Sequence, residues 1–276
     1  MPQNRFEKIQ ESAAFLKKKT ALQPQIGIIL GSGLGGLTEM VEAPVAVPYE
    51  EIPNFPVATV AGHKGQIIFG TLRGVPVLMM AGRFHYYEGY GMDEVTFPVR
   101  VMRALGIETL IVSNAAGAMN AAYRVGDIVF IRDHVNLFPE HPLRGPNDER
   151  LGPRFPDMSE PYSKMLLAKA KEIATIQNLK VHEGVYIGLQ GPTFETRAEY
   201  EWLYRIGGDV VGMSTVPEVV AARHGGMHVF GASIVTDIGI REEENIITHE
   251  EVLAAANAAA PKLAQLVAGL VAAIGA

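Results

Sequence analysis

The feature that most constrains this chain is an alternation of short apolar runs, several closing on glycine, with stretches of helical spacing. Ile26-Gly-Ile-Ile-Leu30 runs straight into glycines, the pattern of a buried strand. Further runs of this kind are Ile67 to Gly70, Val75 to Met80, Thr109 to Ser113, Ile128 to Ile131, Val185 to Gln190, Val210 to Met213 and Val229 to Thr236. Helical patterns lie between several of them, at Val95 to Leu105, Tyr162 to Gln177, Phe194 to Ile206 and Val216 to His224. Phe6, Ile9, Ala13 and Leu16 share one helical face, so the spacing predicts an opening amphipathic helix. Thr215 with Glu218 and Thr248 with Glu251 have capping-box spacing, and Pro217 falls in a tolerated first turn. Pro261 is expected to kink or break the last helix.

Strands alternating with helices predict an α/β fold, a parallel or mixed sheet flanked by helices. Pro- and Gly-rich loops are expected at Pro44 to Pro56 and Pro139 to Pro156, and no repeat or linker divides the chain. A single domain over 1–276 is the simplest account. Its 276 residues are long enough for one sizeable core.

Composition narrows the chemistry. There are no cysteines, which excludes disulfides, thiol catalysis and Cys-based zinc sites. A net charge of -6 gives no basic excess for nucleic acid or an anionic membrane, so any bound anion must be held by a few local groups. Met1 to Thr20 mixes charged and apolar residues without a signal-peptide core, and Leu263 to Ala276 is apolar but too short to span a bilayer. A soluble cytoplasmic protein is expected.

Six segments could carry chemistry, and most follow an expected strand. Gly31-Ser-Gly-Leu-Gly-Gly36 satisfies the dinucleotide pattern G-x-G-x-x-G, and a glycine turn of this kind turns backbone N–H groups toward an anion. A dinucleotide site also needs a helix and then a second strand ending in an acidic residue. Here Val41 to Pro56 is broken by prolines, and Glu50 and Glu51 follow no convincing strand. Ala81-Gly-Arg-Phe-His-Tyr-Tyr-Glu-Gly-Tyr90 offers Arg83, whose planar fork suits phosphate, and His85, two positions on and so on the same side of an extended backbone. His63, alone in a loop, reads by itself as a surface residue. Ser113-Asn-Ala-Ala-Gly-Ala118 would let a ligand approach the backbone closely, or is simply a tight turn. In Gly191-Pro-Thr-Phe-Glu-Thr-Arg197, Phe194 offers a stacking face and Glu195 an acceptor, although the helix dipole alone favours glutamate in a first turn. Ser214 precedes the cap Thr215, where helix N–H groups would face an anion.

Taken in order, Gly31-Ser-Gly-Leu-Gly35, Gly82-Arg-Phe-His-Tyr-Tyr-Glu-Gly89, Thr96-Phe-Pro-Val-Arg100, Asn114-Ala-Ala-Gly117, Asp133-His134, Gly145-Pro-Asn-Asp-Glu-Arg150 and Gly212-Met-Ser-Thr-Val-Pro-Glu-Val219 resemble the trimeric purine nucleoside phosphorylases, almost end to end. The related methylthioadenosine phosphorylases match fewer of these segments. The resemblance implies reversible phosphorolysis of purine nucleosides in purine salvage by a homotrimer, with inorganic phosphate as co-substrate and no metal or organic cofactor. It assigns phosphate to Ser32, His63, Arg83, His85, the backbone at Ala115, and Ser214. It puts Tyr87 and Met213 at the ribose, His249 at its 5′-hydroxyl, and Phe155 over the sugar site of a neighbouring subunit. Glu195 and Asp237 correspond to the pair that grips the purine, beside Phe194, and Asn114 to an asparagine near base and phosphate. The family commonly has asparagine where this chain has Asp237. An ionised aspartate only accepts hydrogen bonds, which disfavours O6 of a 6-oxopurine and suits the amine of adenine. Rival readings are an oxidoreductase built on Gly31 to Gly36, a non-catalytic nucleoside-binding module, and a plain hydrolase.

Overall fold

The computed structural model describes residues 4–31, 35–57, 65–240 and 248–275. Nine strands are described: β1 (Ile26–Ile29), β2 (Glu42–Pro48), β3 (Gln66–Leu72), β4 (Val75–Ala81), β5 (Thr109–Ala118), β6 (Ile128–Asn136), β7 (Val181–Gly188), β8 (Val210–Gly212) and β9 (His228–Ile238). The helices are α1 (Arg5–Lys17), α2 (Met92–Val95), α3 (Phe97–Ala104), α4 (Lys164–Ile176), α5 (Arg197–Arg205), α6 (Val216–His224) and α7 (His249–Gly275). All the strands form one mixed sheet in the order β2-β3-β4-β1-β5-β8-β7-β6-β9. Because β9 also pairs with β5, strands β5, β8, β7, β6 and β9 close on themselves, while β1 to β4 extend as an open wing. The α/β reading, with a mixed sheet flanked by helices, is therefore correct.

The short apolar runs form strands because they lie inside the sheet, covered on both faces. β1 is buried at every residue, and it sits between β4 and β5, parallel to both. β9, parallel to β5 through Ala115↔Ile234, is buried over nearly its whole length. Strands β1, β4, β5 and β9 thus point the same way, and their carboxyl ends gather on one side of the sheet. Gly31, just beyond β1, is held to glycine by this packing. A Cβ there would lie 2.7 Å from the Ser113 carbonyl oxygen and 2.8 Å from Asn114 Cα.

Three sequence expectations need correction. The proline-rich stretch after Val41 is not all loop, since β2 pairs antiparallel with β3 at the edge of the sheet. An edge strand tolerates missing N–H donors, and the register shift between Glu42 and Val45 takes up Pro44. Glu50 and Glu51 therefore do follow a strand. The dinucleotide reading still fails, because β2 lies three strands from β1, and a short 3₁₀ turn at Gly35–Met40 stands where a crossover helix is required.

Pro261 does not break the last helix, which runs unbroken from His249 to Gly275. A mid-helix proline costs about 3 kcal/mol. Burying Ala256, Ala259, Leu263, Leu266, Val267, Leu270 and Val271 along one face offsets that cost at roughly 1.5–3 kcal/mol for each large side chain. Helix α7 is long and apolar enough to cross a bilayer, unlike the shorter segment expected, but half of its most apolar stretch is buried against the protein. It reads as a core helix.

The helix expected from Phe194 begins later, at Arg197, with Thr196 as its cap. Glu195 consequently lies before the helix rather than in its first turn, where Glu199 sits instead. The dipole explanation for Glu195 is removed. The cap at α7 holds, with Thr248 and Glu251 exchanging backbone-to-side-chain bonds of 3.2 and 3.3 Å. At α6 only the Glu218 half forms, accepting the Thr215 N–H at 3.1 Å, and the Thr215 hydroxyl makes no cap bond.

Candidate active site

A cavity of about 510 Å³ opens at the carboxyl ends of the parallel strands, the usual position for a ligand in a sheet of this kind. The turn after β4 contributes Arg83, His85, Tyr87 and Glu88, and β5 contributes Asn114 and Ala115. Met213 and Ser214 come from the segment between β8 and α6, Phe194 from the loop after β7, and His249 from the first turn of α7. Gly31 and Thr236 complete the floor. Residues far apart in sequence are thus brought to one wall by the sheet registers.

One end of the cavity is built around Arg83, which is only 1% exposed. Its Nε donates to Glu218 Oε1 at 3.1 Å, and its Nη1 donates to Ser214 Oγ at 2.9 Å and Thr215 Oγ1 at 3.4 Å. Glu218 is equally buried, and its other oxygen accepts the Thr215 N–H at 3.1 Å. So the glutamate that reads in sequence as half of a helix cap is also the counter-ion of the cavity's arginine. Asn114 Nδ2 donates to Thr215 Oγ1 at 2.9 Å, and its Oδ1 is buried without a hydrogen-bond partner among the described residues. That acceptor costs about 1–3 kcal/mol if left unmade, and it suits a ligand N–H or O–H.

Thr215 itself is held in an unusual conformation. Its φ of 68° and ψ of -55°, with Val216 N–H bonded to the Ser214 carbonyl at 2.7 Å, form a γ-turn that a β-branched residue rarely adopts. Such strain persists only where neighbours over-determine it, and here Arg83, Asn114 and Glu218 all bond to Thr215. The turn aims the Ser214 hydroxyl at Arg83 and seats the Ser214 N–H on the buried Tyr186 hydroxyl at 3.3 Å.

His85 flanks the same end. Its Nδ1 lies 2.9 Å from Glu88 Oε1, and its own N–H donates to that oxygen at 2.7 Å. A carboxylate at Nδ1 fixes the ring orientation and the tautomer. The Tyr87 ring stacks on His85 at 4.7 Å, and burial with the Glu88 charge nearby pushes its hydroxyl up to about 12. Tyr87 therefore stays a neutral donor.

The other end of the cavity is more open. Phe194 and His249 form its rim, and Met213 and Val252 give it apolar walls. Glu195 and Asp237 stand as the chain neighbours of two lining residues, Phe194 and Thr236. Asp237 Oδ1 accepts from Thr236 Oγ1 at 2.9 Å, and Oδ2 accepts from the Tyr200 hydroxyl at 3.4 Å. Burial raises the Glu195 carboxyl above its ordinary range. The Asp237 and Glu199 charges add to the rise, while its own N–H and the Tyr200 hydroxyl counter it. The Tyr200 hydroxyl is itself pushed far up by burial, then by the two carboxylates.

The structure thus brings Arg83, His85, Tyr87, Asn114, Ala115, Phe194, Met213, Ser214 and His249 to one cavity, with Glu195 and Asp237 beside it. Ser32 and His63 lie outside the described residues. Phe155 does not reach this cavity. It is 88% exposed, with the Arg154 guanidinium over its ring, beside a separate hollow lined by Leu143, Met158 and Val220. Sequence reasoning missed Glu88, Thr236, Tyr186 and Tyr200, and gave Glu218 only a capping role. The Thr215/Glu218 spacing was the one available signal. Among the described residues no group of three or more His, Asp or Glu side chains is arranged to hold a metal ion.

The profile of the phosphorylase superfamily matches residues 25–272. The chain is 54% identical to purine nucleoside phosphorylase 1 of Geobacillus stearothermophilus, over 89% of each chain. It is 51% identical to the purine nucleoside phosphorylase of Rattus norvegicus, over 95% of this chain and 93% of the other. Two solved structures of the Schistosoma mansoni purine nucleoside phosphorylase, in complex with adenosine and with inosine, superpose with a TM-score of 0.91 and 44% identity. Each alignment covers 96% of this chain, and 96% and 95% of the solved chains respectively.

Proposed function

Because this chain belongs to the phosphorylase superfamily, we propose that it catalyses the reversible phosphorolysis of purine ribo- and 2′-deoxyribonucleosides, giving free base and pentose 1-phosphate. The observation that carries this reading is the division of one cavity into two chemistries. Arginine, histidine, serine and asparagine converge at one end, and an aromatic face with two carboxyls flanks the other. A phosphate and a purine placed at these ends leave the sugar between them, against Tyr87 and Met213.

Phosphorolysis passes through an oxocarbenium-like sugar. Holding phosphate in line with C1′ turns a two-substrate encounter into an oriented one, which supplies much of the rate gain. Arg83, the Ser214 hydroxyl, His85 Nε2 and the backbone at Ala115 bind the phosphate oxygens, with Ser32 and His63 completing the set. The bound anion stabilises the cationic sugar. At the far end the departing purine accumulates electron density. Glu195 and Asp237 hold its edge, and Asn114, with its buried unpaired oxygen, receives an N–H as the base leaves. His249 at the rim binds the 5′-hydroxyl. This chemistry requires phosphate as co-substrate and neither a metal nor an organic cofactor.

Two finer assignments belong to the same reading. Inosine and guanosine are the principal substrates, and Asp237, as an acceptor, extends the range to adenosine. The exposed Phe155 serves the sugar site of a neighbouring copy in a cytoplasmic homotrimer, which accounts for a large bare aromatic outside its own cavity.

Release of free base from inosine, guanosine and adenosine, measured with and without phosphate, tests the proposal. Base release that depends on phosphate, with pentose 1-phosphate as the second product, is expected. Cleavage that continues undiminished in phosphate-free buffer would make the protein a hydrolase and overturn the reading.

A further inference from the structure

We propose that Tyr200 sets the base preference of this site, by donating to Asp237 and holding that carboxyl as a hydrogen-bond acceptor toward the base. The inference rests on the reading above that Asp237 and Glu195 face the base. Tyr200 is then a positioning residue, acting on the substrate through Asp237.

Tyr200 reads in the sequence as a core residue of an amphipathic helix, and its ring does pack with Met119, Ile187, Leu203 and Val211. Its hydroxyl, however, is directed at charge. It donates to Asp237 Oδ2 at 3.4 Å, and the charges of Asp237 and Glu195 both bear on it. The slot for this side chain is built by two glycines from separate elements. A Cβ on Gly239 would lie 2.3 Å from the Tyr200 ring. A Cβ on Gly117 would lie 2.8 Å from Asp237 Oδ2 and 3.3 Å from the Tyr200 hydroxyl oxygen. The backbone therefore leaves room for a phenol to stand against Asp237.

One hydroxyl has one proton to give. Thr236 and Tyr200 each donate to a different oxygen of Asp237, which favours its carboxylate form. Glu195 is raised by burial and by the Asp237 and Glu199 charges, the direction that favours its protonated form. A carboxylate beside a carboxylic acid complements adenine, whose exocyclic amine donates and whose ring nitrogen accepts. A 6-oxopurine presents the opposite pair, an accepting O6 and a donating N1–H, and needs the proton on Asp237. Tyr200 thereby extends a site that takes 6-oxopurines toward 6-aminopurines.

Tyr200→Phe keeps the ring and removes only the donor. The inhibition constants of adenine and hypoxanthine are to be measured against inosine phosphorolysis, in wild type, Y200F, Asp237→Asn and the double variant. Losing a hydrogen bond to a charged group predicts a shift of about threefold to tenfold toward hypoxanthine in Y200F. The KM for phosphate should stay unchanged, and the shift should vanish in the Asp237→Asn background. An unchanged ratio, an equal shift in that background, or a wild type that binds hypoxanthine and not adenine would each overturn the proposal. A wild type without phosphate-dependent turnover of any purine nucleoside would instead remove the functional reading itself, before any variant is made.

Discussion

The two ends of the cavity are built on different principles. Around Arg83 one buried ion pair, three hydroxyl or amide partners and a strained turn define a single arrangement, with Asn114 Oδ1 left for a ligand. Around Asp237 the groups are a phenol and two carboxyls, one of them, Glu195, raised by burial and by its neighbours' charges. A phosphate is always an anion of one shape, so a rigid cradle serves it. Purines differ in which edge atoms donate, so their site is better controlled by protonation than by shape. The first end should then respond to mutation mainly in stability and phosphate binding, the second mainly in selectivity.

The largest expected effect breaks the rigid end. Glu218→Ala leaves the Arg83 guanidinium charged, buried and without its carboxylate, and removes the acceptor for Thr215 N–H. Stripping one partner from a buried pair costs about 3–5 kcal/mol. Denaturant unfolding should register that loss, and the KM for phosphate should rise with it. A variant as stable as wild type would mean that the pair is not what holds this end together.

Asp237→Asn probes the other end and should behave oppositely. Asparagine supplies a donor for O6, so inosine should gain over adenosine in kcat/KM by about tenfold or more. Unfolding free energy should move by less than about 1 kcal/mol, because relief from the neighbouring carboxyl compensates for the weakened Tyr200 and Thr236 bonds. If stability collapses while selectivity holds, the contrast between the two ends is wrong.

How much of this was legible in the sequence follows the same division. Arg83 and His85 could be picked out because they sit two apart directly after a buried strand, where local pattern and chemistry agree. The strands themselves were visible because burial on both faces demands unbroken apolar runs. Glu218 was visible only as a cap, since its second oxygen is engaged by a residue 135 positions away. β2 was hidden by prolines that an edge strand tolerates, and the continuity of α7 by a proline whose cost is outweighed by tertiary burial. Tyr200 gave no signal at all. A tyrosine on an apolar helix face looks the same whether its hydroxyl meets water or two carboxyls, and only the return of β9 beside β5 decides. Asp237 stood out in the sequence solely as a departure from a familiar pattern.

The smallest effect sharpens the comparison in the absence of any substrate. Burial and the neighbouring carboxylates raise Glu195 above its ordinary range in the folded protein. The fold therefore binds this proton more tightly than the unfolded chain does. The resulting stabilisation is complete below the ordinary glutamate range and fades as pH rises through the raised folded value. Glu195→Gln is neutral at every pH, so it never suffers the penalty of placing a second charge beside Asp237. Its melting temperature should match wild type near pH 4 and exceed it increasingly toward about pH 8, by about 1–2 °C, once solvent screening of this partly exposed group is allowed for. A flat or inverted difference for Glu195→Gln would show that the base end does not hold a contested proton, and the distinction between a rigid end and a titrating one would fail.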